Sequence, residues 1–385
     1  MRILFLAPQP FFEVRGTPLA VLHMTRALAA LGHTVDLLTF PQGAPAPVEG
    51  VRHLRSLRLP VGRVKAGPSL AKMALDLPFL AEAGGRLAFG HYDVVHAVEE
   101  AAHLIAPFAR WFKIPLVMDV DSSIPDQLRY SGFATRGPLP WAAEALERHA
   151  LAHSAAVVTV CTRLTEGVRR RAPAARTFQI EDAPLLEPGP PPDPAGVAEL
   201  RRGLGLAPGP VALYSGNFEP YQGVDVLVDA ASRLPDVQFV FMGGEPPEID
   251  ALRARAARGG GRCVFAGKRP PSDLPAFLAL ADVLVSPRTR GENTPFKVYT
   301  YLASGKPLVA TRIESHTQLL DDSLAVLVEP APESIADGVR RVLAAPEEAR
   351  ARADRAKDLV EREYSPARYV EKVKTAYAAV AAATR

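Results

Sequence analysis

The feature that most constrains this chain is a recurring unit: a short, continuous apolar run, bounded by turn residues and separated from the next by a helical pattern. In the first half the runs are RILFLAP (2–8), TVDLLTF (34–40), DVVHAV (93–98), PLVMDV (115–120) and AAVVTVC (155–161). In the second they are VALYSGN (211–217), VQFVFMGG (237–244), CVFAGK (263–268), VLVSP (283–287), PLVAT (307–311) and AVLVEP (325–330). Apolar runs that do not alternate with polar residues fit strands buried on both faces, as in parallel sheets. Between the first two runs Thr17 offers an N-cap oxygen and Pro18 suits the first helical position. Leu19, Leu22, Met24 and Leu28 supply an apolar face, and Gly32 suits a left-handed stop. The expected class is α/β, doubly wound, with two similar domains.

At 385 residues the chain exceeds the size at which one core stops growing, which agrees with two domains. The break falls in LLEPGPPPDPAG (185–196), because proline enters neither a central strand nor a helix interior. We expect an N-terminal domain over 1–185, a linker over 186–196 and a C-terminal domain over 197–365. Pro346 to Arg385 reads as helical, broken near EYSP (363–366). Ligands of such folds bind at the carboxyl ends of the strands, so a cleft between the domains is the expected site.

Composition excludes several classes. A net charge of +3 is too small to argue for nucleic acid, and no nucleic-acid partner is expected. Cys161 and Cys263 sit inside apolar runs with no metal-ligand spacing, which reads as buried thiols in a reducing cytoplasm. MRILFLAPQPFF lacks a small-residue cleavage site and reads as a first buried strand. No apolar stretch reaches the ~18 residues needed to span a bilayer. Segment 51–90 is basic (Arg52, Arg55, Arg58, Arg63, Lys65, Lys72) and partly apolar. A solvated helix face is the simpler reading. Peripheral contact with the inner face of a membrane is the alternative.

The densest chemistry lies in TRGENTPFKVYTYLASGKPLVAT (289–311), where Arg290 and Lys297 bracket Glu292 next to a helix start. Lys297 falls in the first helical turn, where a cation opposes the macrodipole unless an anion binds there. Asp119 and Asp121 close another strand, but no third ligand stands near them, so no metal is expected. PQPFFEVRGTP after the first strand contains no G-x-G-x-x-G, which argues against a nicotinamide dehydrogenase.

In YSGNFEPYQGVDVLVDA (214–230), VFAGKRPPSDLPAFLALADVLVSP (264–287), GENTPFKVYTYLASGKPLVAT (291–311), RGTPLAVLHMTRALAALGHTVDLLT (15–39) and DVVHAVEE (93–100), the chain resembles the retaining, nucleotide-sugar-dependent glycosyltransferases of the GT-B fold, family 4-like. The resemblance implies two Rossmann-like domains facing a cleft and a C-terminal helix (about 366–385) returning to the N-terminal domain. It also implies a hexosyltransferase-type enzyme of polysaccharide or lipid-linked glycan synthesis. The donor is then a nucleotide diphosphate sugar and the acceptor a glycan, lipid-linked sugar or small molecule, with no metal.

The family's paired carboxylates fall on Glu292, toward the transferred sugar, and on Thr300, where a hydroxyl replaces the carboxylate that grips the ribose. The family's Arg and Lys on the donor diphosphate fall on Asn217 and Gln222, beside Gly216. Losing both would remove several kcal/mol of stabilisation unless other cations supply it. Arg290, Lys297 and Lys268 are the candidates, with Thr294 and the backbone N–H of Phe296. His96 matches a position that contacts the donor sugar, although an isolated histidine in an apolar run is ordinarily a satisfied core residue. Gly16 precedes the first long helix and would admit a close backbone approach, with Arg15 as a further cation. Glu99, Glu100 and Asp121 are acceptor-side candidates, and His316 a candidate for phosphate or acceptor contact. A non-catalytic protein of the same fold and a nucleotide-sugar epimerase are the competing readings.

Overall fold

The computed structural model describes residues 1–13, 16–61, 70–124, 138–185 and 190–383. Arg15, Arg63 and Lys65 lie outside the described residues. The chain divides into two units, Met1–Asp182 with Ala367–Arg385, and Ala183–Pro366.

Unit 1 runs β1 (Arg2–Ala7), α1 (Gly16–Ala30), β2 (Thr34–Thr39), β3 (Val51–Arg55), α2 (Leu70–Phe89), β4 (Val94–Val98), α3 (Glu100–Trp111), β5 (Leu116–Val120), α4 (Pro138–His153), β6 (Ala156–Thr159), α5 (Thr162–Arg171) and β7 (Thr177–Gln179). Its sheet is parallel, in the order β3-β2-β1-β4-β5-β6-β7. β4 and β5 are buried throughout, with His96 and Asp119 the polar residues inside otherwise apolar strands. β3 and β7 are the edges, and their half-exposed sequences VRHLR and TFQ carry no apolar run. Asp36, a carboxylate inside β2, is 2% exposed. Arg52 donates to it at 2.8 and 2.5 Å and the Tyr92 hydroxyl at 2.7 Å, which offsets its desolvation. Arg55 donates to the Gly43 carbonyl at 3.0 Å and Lys72 pairs with Glu100 at 2.5 Å. The basic 51–90 segment therefore spends three of its cations inside the unit.

Unit 2 runs α6 (Pro194–Gly203), β8 (Val211–Ser215), a 3-10 turn (Pro220–Gln222), α7 (Val224–Ala231), β9 (Gln238–Met242), α8 (Pro246–Gly259), β10 (Cys263–Gly267), α9 (Leu274–Leu280), β11 (Val283–Ser286), α10 (Phe296–Ala303), β12 (Leu308–Thr311), α11 (Glu314–Thr317), β13 (Val326–Val328), α12 (Pro332–Ala344) and α13 (Pro346–Glu363). The parallel sheet has the order β10-β9-β8-β11-β12-β13. The helix α6 begins inside the Pro-rich stretch assigned to a linker, because Asp193 caps it by accepting the Ala195 N–H at 3.1 Å and Pro194 takes the first position. A last helix, α14 (Pro366–Ala383), belongs to unit 1, where Val373, Ala376, Tyr377 and Val380 are buried. Strand order reverses between β1 and β4 in one sheet and between β8 and β11 in the other. The loops leaving these strands at their carboxyl ends are where an open parallel sheet presents ligand-binding groups.

Candidate active site

In unit 2 two such loops meet. The backbone N–H of Thr289, after β11, donates to the carbonyl of Tyr221, after β8, at 2.9 Å. At the end of β8 Gly216 has φ 141° and donates its N–H to Met242 at 2.9 Å. A Cβ at Gly216 would stand 2.8 Å from Lys297 Nζ, and one at Gly243 (φ 128°) would collide with the Gly216 carbonyl. Gly243 needs glycine for conformation and for space, and Gly216 for its conformation.

Lys297, in the first turn of α10, reaches into this corner. Its Nζ donates to the Tyr214 hydroxyl at 2.8 Å and to Gln222 Oε1 at 3.0 Å, and lies 3.9 Å from the centre of the Tyr214 ring. Every one of these contacts is to a neutral group. Burial, and then the nearby Arg288 guanidinium, push its ammonium well below the ordinary lysine range. A lysine so placed gains most when an anion arrives. Gln222 occupies the position where the resemblance has a lysine, so the amine from α10 comes to the place that the loop itself no longer supplies with charge. Asn217 gives its carbonyl to the Tyr214 hydroxyl at 2.6 Å, and its side-chain oxygen accepts the Glu219 N–H at 3.4 Å.

The sequence reading overlooked Arg288, two residues past β11 and 7% exposed. Its Nε donates to the Arg290 carbonyl at 2.9 Å, and its other nitrogens donate to the Asn293 carbonyl at 2.9 Å and side-chain oxygen at 3.2 Å. It thus holds the loop 290–293 from beneath, while Gln318 Nε2 donates to the Glu292 carbonyl at 2.6 Å. Glu292 is partly exposed on a loop fixed at both ends. Arg290 is exposed at the surface. Thr294 and Phe296 are buried behind the loop. The signal for it in the sequence is a basic residue directly after a strand's proline, Pro287-Arg288.

Three candidates in unit 2 already have partners within the unit. Lys268 pairs with Glu245 at 2.6 Å on an exposed surface. Thr300 is 1% exposed, and its hydroxyl oxygen accepts the Leu185 N–H at 3.1 Å, so it serves the chain entering the unit. His316 is fully buried, its Nε2 2.9 Å from Ser286 Oγ and its Nδ1 2.8 Å from the Thr311 carbonyl. Burial pushes it down to about 3, as befits a neutral core histidine.

In unit 1 His96 is likewise engaged within the fold. It lies wholly inside the sheet, stacked on Phe5 at 4.3 Å, with Nδ1 2.8 Å from the Tyr377 hydroxyl and Nε2 3.1 Å from Asp119 Oδ2. Neither nitrogen is left for a sugar. The residue that clears the end of β4 is Glu99, in the left-handed region at φ 49°, its N–H bonded to the Asp119 carbonyl at 3.0 Å. Ser122 Oγ donates to the Glu99 carboxylate at 3.0 Å, and Lys72 lies 3.9 Å from it. A strained non-glycine at a strand end is a recurrent mark of functional positions. Glu100 pairs with Lys72, and burial and Glu99 raise its pKa. Burial and then Asp119 raise Asp121 well above the carboxylate range, and the same two causes bring Asp182 up to about 8. Gly16 opens α1 with free space where a Cβ would stand. Among the described residues no group of three or more His, Cys, Asp or Glu could hold a metal ion.

Residues 15–181 match the glycosyl transferase 4-like domain and residues 209–345 the glycosyl transferases group 1. The chain is 30% identical over 267 residues to the alpha-D-kanosaminyltransferase of Streptomyces kanamyceticus, covering 67% of this chain and 68% of that one. It is 30% identical over 346 residues to a D-inositol 3-phosphate glycosyltransferase of Xylanimonas cellulosilytica, covering 82% and 80%. In fold it is similar to sucrose-phosphate synthase of Thermosynechococcus elongatus (TM-score 0.79, 21% identity, 99% of each chain). It is similar also to Anabaena HepE in complex with UDP-glucose (TM-score 0.75, 18% identity, 98% of this chain and 99% of that one). The chain belongs to the group 1 glycosyltransferases of the GT-B fold and is a glycosyltransferase.

Proposed function

We propose that the enzyme transfers a sugar, with retention of anomeric configuration, from a nucleotide diphosphate sugar to a hydroxyl of a glycan, lipid-linked or small-molecule acceptor. Unit 2 binds the donor and unit 1 the acceptor. The observation that carries this reading is Lys297, whose amine faces only neutral partners beside Gly216 and Gln222. A pyrophosphate set against Gly216 would meet that ammonium at short range, and the backbone N–H groups opening α10 would add to the same field. The uridine nucleotide bound by the structural neighbour supports this donor class.

In the reaction the bond between the anomeric carbon and the phosphate oxygen breaks, and the acceptor oxygen attacks on the same face. The leaving phosphate takes the acceptor proton, so no separate base is required. Lys297 stabilises the negative charge that develops on the diphosphate. Arg288 keeps the Glu292 loop in place, and Glu292 faces the sugar, whose positive character it favours. The cationic set needs no metal, and activity should survive a chelator.

The test is release of nucleoside diphosphate from a panel of uridine, guanosine and adenosine diphosphate sugars with mixed acceptors, followed by NMR of the product's anomeric proton. Turnover with retained configuration supports the reading. Product of inverted configuration, or dependence on a divalent cation, would refute it.

A further inference from the structure

Acids gather at the carboxyl-terminal edge of the sheet in unit 1. Glu99 and Glu100 follow β4, Asp119 and Asp121 stand at the end of β5, and Glu181 and Asp182 follow β7. The Thr17 hydroxyl, at the start of α1, donates to Asp121. The charges acting most strongly on Asp121 are Asp119, Glu99 and Asp182, and those acting on Asp182 are Asp119 and Glu181. Burial, and then Asp119, Asp182 and Asp121, raise the hydroxyl of Tyr369, on α14, well above the ordinary tyrosine range. The three aspartates and Tyr369 thus form one cluster within the unit. Gly16, next to Thr17, has open space where a Cβ would stand.

The bases beside these acids are already engaged. Lys72 meets Glu100 at 2.5 Å and Glu99 at 3.9 Å, and Lys372 meets Glu181 at 2.6 Å. His23, its ring 6.1 Å from that of Tyr369, is pushed down to about 4 by burial and then Arg26, so it is neutral near pH 7. Asp119 is 7% exposed, and its Oδ2 faces His96 at 3.1 Å. Its Oδ1 is buried and has no hydrogen-bond partner among the described residues. Asp76 Oδ1, in α2 near Glu100 and Lys72, is in the same condition. Buried carboxyl oxygens left so point to a donor that the fold does not supply. The cluster mirrors Lys297. There an ammonium is held without an anion; here carboxyls are held without a cation, and Asp121 and Asp182 keep protons instead.

We propose that this edge binds the acceptor through a protonated amine, so that the acceptor is an amino sugar whose ammonium lies against Asp121, Glu99 and Asp182. The inference rests on the assignment of the acceptor to unit 1. An ammonium has three donors and no lone pair, so it anchors the acceptor and leaves a hydroxyl of the same molecule to attack the anomeric carbon. Glu99 is well held for this. Its N–H is bonded to the Asp119 carbonyl, its own carbonyl lies 2.9 Å from His103 Nδ1, and its carboxylate accepts the Ser122 hydroxyl. A phosphorylated acceptor would meet like charge at the same place. The acids are not disposed to hold a metal ion, since among the described residues no three His, Cys, Asp or Glu form such a group.

The experiment is isothermal titration of the full chain at pH 7, without donor, using glucosamine, N-acetylglucosamine and glucose 6-phosphate. Glucosamine should bind on the order of 10- to 100-fold more tightly than either of the others, because its hydrogen bonds join charged groups. Its binding should also release protons, read as a heat that changes with the buffer, as Asp121 and Asp182 ionise beside the ammonium. Asp121→Asn should bring glucosamine to the affinity of N-acetylglucosamine while raising the thermal unfolding midpoint, so that the loss is not one of folding. Equal binding of glucosamine and N-acetylglucosamine, tighter binding of glucose 6-phosphate, or an Asp121→Asn variant that binds glucosamine like the parent would overturn the inference. Nucleoside diphosphate release with neutral acceptors, and no gain with glucosamine, would overturn it while glycosyl transfer stood. Glucosamine binding with no release from any donor would uphold the amine site and sink the transfer reading.

Discussion

Replacing Lys297 by methionine tests the site through two effects of opposite sign. In the free protein the ammonium donates to Tyr214 and Gln222 at 2.8 and 3.0 Å, faces no carboxylate there, and is pushed down by burial. The charged form is therefore costly to hold until a diphosphate arrives. A charge-assisted hydrogen bond to phosphate contributes about 1.5–3 kcal/mol, so the variant should bind a nucleoside diphosphate on the order of 10- to 100-fold more weakly. Stability should move the other way. Between the lowered value and the ordinary 10.5 the unfolded chain holds a proton that the folded chain releases, so the parent's stability rises with pH in that window. Methionine removes this dependence and should raise the unfolding midpoint at neutral pH. Isothermal titration with uridine and guanosine diphosphates, paired with thermal unfolding across pH, reads both. If donor affinity were unchanged, or the variant were less stable with the parent's pH slope, the reasoning about this lysine would fail.

Glu292→Gln should lower turnover by about 10²-fold while leaving nucleoside diphosphate affinity near that of the parent, as steady-state kinetics and titration would show. His96→Ala should lower stability by about 3–5 kcal/mol in denaturant unfolding, with donor affinity unchanged, because it removes a stacked ring and two buried hydrogen bonds. Thr300→Val leaves the Leu185 N–H without its acceptor and should cost about 1–3 kcal/mol by the same measurement. Asp182, raised to about 8, holds a proton in the folded state that the unfolded state has released, so it makes stability fall as pH rises from about 4 to about 8. Asp182→Asn should flatten that slope and add on the order of 2 kcal/mol at neutral pH, less than the full shift because the side chain is partly exposed.

The interior strands were legible because burial on both faces writes a predominantly apolar run that does not alternate, as in VVHAV and VLVS. The edge strands β3 and β7 were not: VRHLR and TFQ are half-exposed, and pairing from one side alone decides their conformation. The Pro-rich stretch misled at its end for the opposite reason. Asp193 and Pro194 read as linker composition, yet they are a helix cap and a first helical residue. At the site, residue type placed Glu292 and Lys297 in one loop region, but it could not say which way a long side chain turns. Arg290 points outward, while Lys297 crosses to β8. Histidines 96 and 316 sit in apolar surroundings, and there the simplest expectation, a satisfied core residue, describes them better than a family position does. Arg288 is not legible in the sequence because its role is carried largely by backbone carbonyls, which leave no trace in side-chain composition.

The central claim is that Lys297 and the backbone around Gly216 hold the donor's pyrophosphate. A crystal structure of the full chain with a nucleoside diphosphate measures this directly. The account predicts phosphate oxygens within hydrogen-bonding distance of Lys297 Nζ and beside Gly216, with Gln222 displaced from the amine. Phosphates bound elsewhere, with Lys297 still on Tyr214 and Gln222, would contradict it.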